Sequence, residues 1–192
     1  MALHTEPLEQ EDQDSIILDA RAGDLESLQE IFTTLIDPKL LTTCRDSSSK
    51  SSALHMAAGN GHLEVVKYIT SLIDSEEREK FVNIQNESGN TALHWASLNG
   101  KLDVVQYLCD ECNADPFLRN QFGHDAIFEA ENNGREEIET YFLKKYDVEP
   151  ESDGEETAPE QIKITEGTES EQVTKDATEA LRQHTENLSI NN

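Results

Sequence analysis

The amino-acid sequence predicts an all-α solenoid of about four helix-turn-helix units, followed by a disordered acidic C-terminal tail. Three observations carry this. A layout of turn, short apolar helix, Asn-Gly break and second helix returns along the chain at intervals of 34 to 39 residues. Within the second helices the apolar residues fall at three-and-four spacing, the signature of one buried helical face. From Val148 onward the composition changes to carboxylates with Pro and Gly, which cannot bury a core.

The pattern is fullest between Asn86 and Leu108. A turn with Gly89 leads into Thr91-Ala92-Leu93-His94, Asn99-Gly100 breaks the helix, and Leu102, Val105 and Leu108 share a face of the next one. Ala53-Leu54-His55 with Asn60-Gly61 repeats this, as does Ala126-Ile127-Phe128 with Asn133-Gly134. Gly89 and Gly123 are 34 residues apart, Asn60 and Asn99 are 39 apart, and a fainter copy places Gly23 38 residues before Gly61. These intervals lie near the ankyrin period of about 33 with small insertions. The run Gly89-Asn90-Thr91-Ala92-Leu93-His94-Trp95-Ala96, with Asn99-Gly100 behind it, resembles the ankyrin signature G-x-T-P-L-H-x-A-A-x-x-G-H. The regular departure is alanine at 53 and 92 where that family usually has proline, which lowers turn rigidity and leaves the fold intact.

In chain order, residues 1–13 read as a flexible acidic lead-in. The repeat domain spans 14–147, with approximate units 14–44, 45–82, 83–118 and 119–147. Asp14 or Ser15 is the expected N-cap of a first helix carrying Ile16, Ile17 and Ala20. Leu25, Leu28, Ile31, Phe32 and Leu35 mark a second helix that Asp37-Pro38 ends. The polar run Arg45 to Ser52 is a finger-like turn. Leu63, Val66 and Ile69 supply the next outer helix, and Ser75 to Lys80 absorbs most of the extra length before Phe81 and Val82 resume packing. The fourth unit is a polar cap with Glu129 and Glu131 on its first helix, closing on Ile138, Tyr141, Phe142 and Lys144-Lys145. Lysines there suit a helix C-terminal dipole. In the tail, 148–192, Val173, Ala177, Leu181, His184 and Leu188 fall on one face of a short helix expected over 170–189.

Charge narrows the partners. Forty acidic against 15 basic residues give a formal net charge of −25. Such a surface repels phosphate backbones and anionic lipid, so neither nucleic acid nor membrane is an expected direct ligand. It attracts cationic partners and speeds encounter with them. No apolar run is long enough for a membrane span, no signal peptide opens the chain, and three cysteines make an odd number. A reducing compartment is expected, cytoplasm and nucleus.

Catalytic motifs are missing from the sequence. There is no phosphate-binding glycine loop, no G-x-S-x-G and no H-E-x-x-H, so no enzyme, cofactor or metal site is expected. Cys109-Asp110-Glu111-Cys112 has C-x-x-C form but lacks a second ligand pair. A protein-binding surface remains. The ankyrin resemblance implies turn-tip contacts at Glu87, Ser88, Asn90, Gln121, Phe122 and His124, and concave-face contacts at Met56, Gly59, Trp95, Leu98, Glu129 and Asn132. It also implies that His55 and His94 staple the turns at the head of the first helices. Trp95, the only tryptophan, is the foremost candidate for a binding hot spot.

The order of parts, four ankyrin units before an acidic tail, is similar to the small acidic ankyrin-repeat chaperones of ribosomal proteins. That resemblance implies a free monomer that escorts a newly made basic client, small-subunit ribosomal protein three, and keeps it soluble until assembly. The residues alone establish an acidic binding surface. An ankyrin adaptor or regulatory subunit docking on an enzyme or transcription factor stays open as the alternative.

Overall fold

The computed structural model describes residues 3–146. The acidic stretch 148–192, with the helix expected over 170–189, lies outside them. Within the described residues the chain forms α1 (Gln10–Ala22), α2 (Leu25–Glu30), α3 (Ala53–Asn60), α4 (Leu63–Ser71), α5 (Ser75–Val82), α6 (Ala92–Leu98), α7 (Leu102–Glu111), α8 (Ala126–Asn132) and α9 (Glu136–Tyr146). The inner helices α1, α3, α6 and α8 pack in sequence, and the outer row α2, α4, α7 and α9 backs them.

Small residues set the spacing of the inner row. Ala20, Ala53, Ala57, Ala58, Ala92, Ala96, Ala126 and Ala130 are all buried, so neighbouring helix backbones approach closely. Leu54 and Leu93 fill the space between units, while Val65, Val66, Ile69, Val104, Val105 and Leu108 seal the outer row onto the inner one. Each unit therefore buries its apolar face against the next, and none has a core of its own.

Polar fingers tie the units together at one end. The amide of Glu87 donates to the Ser49 carbonyl at 2.9 Å, and that of Gln121 donates to the Ser88 carbonyl at 3.0 Å. Asp46, Asn86 and Asn120 hold their own turns, each accepting from amides two or more residues ahead. The histidines bridge the units. His55 Nδ1 accepts from the Ser52 amide at 3.2 Å, which leaves the proton on Nε2 to donate to the Asn90 carbonyl of the following unit at 2.9 Å. His94 repeats this with Thr91 at 3.2 Å and the His124 carbonyl at 3.1 Å.

Three expectations differ from what is seen. Residues 1–13 are not all a loose lead-in. His4 pairs with the segment around Ile36, its amide donating to the Leu35 carbonyl at 2.8 Å and its carbonyl accepting from Asp37 at 2.9 Å. Helix α1 starts at Gln10, with Glu9 rather than Asp14 or Ser15 at its N-cap. The cause is the first finger: Gln10 donates to the Arg45 carbonyl, Gln13 accepts from the Arg45 amide, and Asp14 accepts from the Ser47 amide. Polar residues that look like solvent-facing linker are the contacts of the first inner helix.

The second helix loosens into a π turn over Ile31–Leu35 and resumes as a 3-10 turn over Pro38–Thr42. Ser75 to Lys80, which takes up the longer interval between units, is helical. It forms most of α5, with Glu76 and Glu77 in the first turn and Lys80 in the last, matching the helix dipole. Arg78 anchors it by donating to the carbonyls of Thr70 and Ile73, and Phe81 and Val82 are buried. At the far end Lys145 caps the Cys109 carbonyl at 2.9 Å and pairs with Asp110.

Finger glycines separate two costs of substitution. Gly89 and Gly123 have φ of +78° and +80°. A Cβ at 89 would lie 2.8 Å from the Gln121 backbone nitrogen, whereas one at 123 meets nothing within 4 Å. Gly123→Ala is therefore expected to cost about 1–2 kcal/mol, the left-handed strain alone. Gly89→Ala should cost clearly more, because the next finger's backbone must move. Urea unfolding of both variants measures the difference.

The buried histidines predict an acid-sensitive fold. Burial pushes the His55 imidazole down to about 4, only partly offset by its bond to Asn90, and burial lowers His94 as well. The unfolded chain thus takes up protons that the folded chain refuses. Stability is full above pH 6.5, declines as pH falls toward 4 and loses nothing further from this source below that, with His55 contributing on the order of 3 kcal/mol. Urea midpoints across pH 7 to 4 should fall less steeply for His55→Gln than for the native chain.

Candidate functional site

The inner helices present equivalent positions as ranks across the stack. Leu18, Met56, Trp95 and Glu129 form one rank at intervals of 38, 39 and 34 residues, and Arg21, Gly59, Leu98 and Asn132 form the next. Trp95 is half-buried. Its indole lies on the bare backbone of the previous inner helix, where a Cβ at Gly59 would meet Trp95 Cε3 at 3.0 Å. Beside it opens a cavity of about 350 Å³ lined by Asn90, His94, Trp95, Leu98, Asn99 and Glu129. Trp95 and Leu98 give the lining its aromatic and apolar part, and Glu129 gives it a carboxylate.

Glu129 is only 8% exposed. Its Oε1 accepts from Asn120 Nδ2 at 3.3 Å and lies 3.2 Å from His124 Nδ1. Asp125 starts α8 by accepting from the Phe128 amide, which fixes the helix turn carrying Glu129. His124 in turn stacks on Phe128, ring centroids 4.1 Å apart. Phe122 is 72% exposed at the tip of the same finger, 6.2 Å from the His124 ring.

A second hollow of about 220 Å³ lies at the first two units, lined by residues including Asp14, Ile17, Leu18, Asp46 and Met56. Leu18 is 62% exposed. Burial raises the Asp46 carboxyl, but bonds from the hydroxyls and amides of Ser48 and Ser49 outweigh that and hold it well below the usual carboxylate range. Both hollows thus pair apolar side chains with a carboxylate.

The positions expected from the sequence divide accordingly. Asn90, Trp95, Leu98 and Glu129 converge on one cavity, and Met56 belongs to the other hollow. Glu87 and Ser88 are exposed but engaged through their carbonyls, accepting from Gln121 Nε2 at 2.5 Å and from the Gln121 amide at 3.0 Å. Phe122 and His124 form the aromatic tip, and Asn132 is exposed beyond the cavity. Leu18, Asn99 and Phe128 are additions. Leu18 was legible from the repeat interval, being the counterpart of Met56 and Trp95. Asn99 was hidden by its role in the interhelical break. Asn60 and Asn133 each donate to the carbonyl four residues back at 2.8 Å, whereas the Asn99 amide makes no such bond and faces the cavity.

Cys109 and Cys112 are buried, and burial pushes the Cys109 thiol up to about 11. Among the described residues no three His, Cys, Asp or Glu side chains converge as metal ligands, and no helix is long and apolar enough to cross a membrane.

Gly59 offers a handle on the indole. Its helical backbone accepts a side chain without strain, so Gly59→Ala gains helix propensity of about 1 kcal/mol against crowding of a few tenths of an ångström. The variant should unfold within about 1 kcal/mol of the native protein. Its Trp95 emission maximum should nonetheless shift, which fluorescence reads directly.

Known proteins supply the frame for this surface. The family model for ankyrin repeats, in three copies, matches residues 16–120. The ankyrin repeat-containing protein Yar1 of Saccharomyces cerevisiae is 67% identical over 198 aligned residues, covering 100% of this chain and 99% of the relative. An ankyrin repeat-containing protein of Schizosaccharomyces pombe is 36% identical, covering 81% and 99% respectively. The crystal structure of the yeast ribosomal protein Rps3 in complex with its chaperone Yar1 contains a chain that matches with a TM-score of 0.73 and 70% identity, over 76% of this chain and 99% of that one. Repeat spacing, the histidine bridges and these likenesses agree: the chain belongs to the ankyrin-repeat family.

Proposed function

We propose that this protein is a dedicated chaperone of a newly made basic ribosomal protein, small-subunit ribosomal protein three, and carries no reaction of its own. It covers Lys/Arg-rich surface of the client and keeps it soluble until the client joins the small subunit. The observation that carries the reading is the cavity that Trp95 and Glu129 line together, an aromatic side chain and a carboxylate in one hollow on a chain of net charge −25. Near full-length likeness to Yar1, whose complex with Rps3 is described as that of a chaperone, supplies the client.

The mechanism follows from the charge distribution. Long-range attraction draws a cationic client to the stack, and short-range contacts at the hollows hold it. An exposed basic segment would otherwise collapse onto RNA; against this surface its charges are matched by carboxylates, and the same negative field repels phosphate. The work belongs in the cytoplasm and the nucleus, where such a client is made and assembled. The fingers at Glu87, Ser88, Gln121, Phe122 and His124 flank the hollow and bound the contact area.

Binding of the purified full chain to purified Rps3, followed across a salt series, tests this. Affinity should fall at least about tenfold from low to high salt. Trp95→Ala should weaken binding by about 2 kcal/mol while the helical circular dichroism signal is kept. Salt-insensitive affinity would point to apolar docking of an adaptor, and failure of the native chain to hold Rps3 at low salt would end the chaperone reading.

A further inference from the structure

The cavity at the third and fourth units is more specific than a general acidic surface. Its carboxylate is held in place before any ligand arrives. Both protein contacts of Glu129 fall on Oε1, so Oε2 has no hydrogen-bond partner among the described residues. No lysine or arginine of the described residues pairs with Glu129, although it is only 8% exposed. Among the described residues its one ion-pair partner is His124, 3.2 Å away and charged only when protonated, so the carboxylate has no permanently cationic partner there. Trp95 and Leu98 supply apolar lining to the same cavity, and Asn99, whose side-chain amide makes no hydrogen bond among the described residues, lines it too. About 350 Å³ is room for one long side chain rather than for a helix turn.

Only one class of side chain satisfies every wall of this cavity. A long aliphatic stem suits Trp95 and Leu98, and a cationic head suits both the indole face and the carboxylate. We propose that the cavity is a receptor for a single arginine or lysine side chain of the client, its stem against Trp95 and Leu98 and its charged group at Glu129 Oε2. The assignment rests on the chaperone reading for the identity of the client, but not for the chemistry of the cavity. Trp95 and Glu129 then act as one unit. The tryptophan selects a cation carried on a stem, and the glutamate selects cation over neutral side chain.

Rank order supports the location. The equivalent positions Leu18, Met56 and Trp95 are apolar, and only the fourth member, Glu129, is ionisable. A carboxylate at Met56 or Leu18 would be no less acidic overall, so total charge does not explain the placement. What distinguishes the fourth unit is that Asn120 and His124 pre-orient the carboxylate beside the aromatic wall.

Trp95 emission reports occupancy, because no other tryptophan is present. In the first arm the full chain is titrated with hexa-arginine and hexa-lysine peptides. Both should change Trp95 emission saturably, and Glu129→Gln should weaken the effect at least about tenfold. Glu26→Gln, an equal charge loss on exposed α2, should weaken it less than about twofold. Equal losses in the two variants would mean diffuse attraction and overturn the proposal. In the second arm each Lys or Arg of purified Rps3 is replaced by Met, and the loss is measured against native chain and Glu129→Gln. One replacement should cost at least about tenfold with the native chain and nearly nothing further with Glu129→Gln. If Rps3 binds native chain and Glu129→Gln alike, the cavity proposal fails and the chaperone reading stands. If Rps3 does not bind at all, the chaperone reading fails and the peptide arm alone decides the cavity.

Discussion

The fold depends on a hydrogen bond that each middle unit gives to its successor. His55 and His94 sit buried at the heads of α3 and α6, accept from their own N-cap amides, and donate across to the following finger. The bond can form only with a neutral imidazole protonated on Nε2, since Nδ1 is occupied as an acceptor. One ring therefore settles three things together: the start of its helix, the position of the next turn, and the register between units. The alanine-lined interfaces bring the helices close, but alanines slide easily. The imidazoles fix where they stop.

The ends of the stack show the same constraint by its absence. Counting by repeat, Ile17 and Phe128 occupy the histidine position in the first and fourth units. No finger follows the fourth unit within the described residues, so a donor there would have nothing to bond, and Phe128 instead stacks on His124. At the first unit the connection is made by different chemistry, with Gln10, Gln13 and Asp14 of α1 holding the first finger. This is why the N-terminal boundary could not be read from the pattern. Gln and Asp at an amphipathic edge look identical whether they face water or a backbone thirty residues away. The repeats themselves were legible because Gly, Asn, Thr and His each answer a local geometric need that recurs at a fixed interval. Helix α5 was hidden for the opposite reason: a short, highly charged run lacks an apolar face, and it is helical because Arg78 and the buried Phe81 and Val82 tie it down.

The candidate site was legible in part, and the division has a physical basis. Trp95, Leu98 and Glu129 were expected because the ankyrin resemblance implies which positions of each unit face the groove, and all three line one cavity. Their meeting in one cavity was not, since nothing in a linear sequence says that Asn120 and His124 hold the Glu129 carboxylate in a hollow that Trp95 also lines. Nor does sequence separate Asn99, whose amide is free, from Asn60 and Asn133, whose amides close their own helices. Recognition in this protein comes from small departures laid over a regular scaffold. The scaffold supplies identical slots, and the residues that break the repeat give each slot its chemistry.

Helix α5 shows how the stack tolerates change of length. The extra residues between the second and third units fold onto the end of α4 through Arg78 and leave the fingers in step, with Glu87 still bonded to Ser49. None of the α5 residues lines either hollow. The outer margin at 75–80 is thus a natural splice point, where a reporter or a tether can be grafted without disturbing the surface that meets a partner.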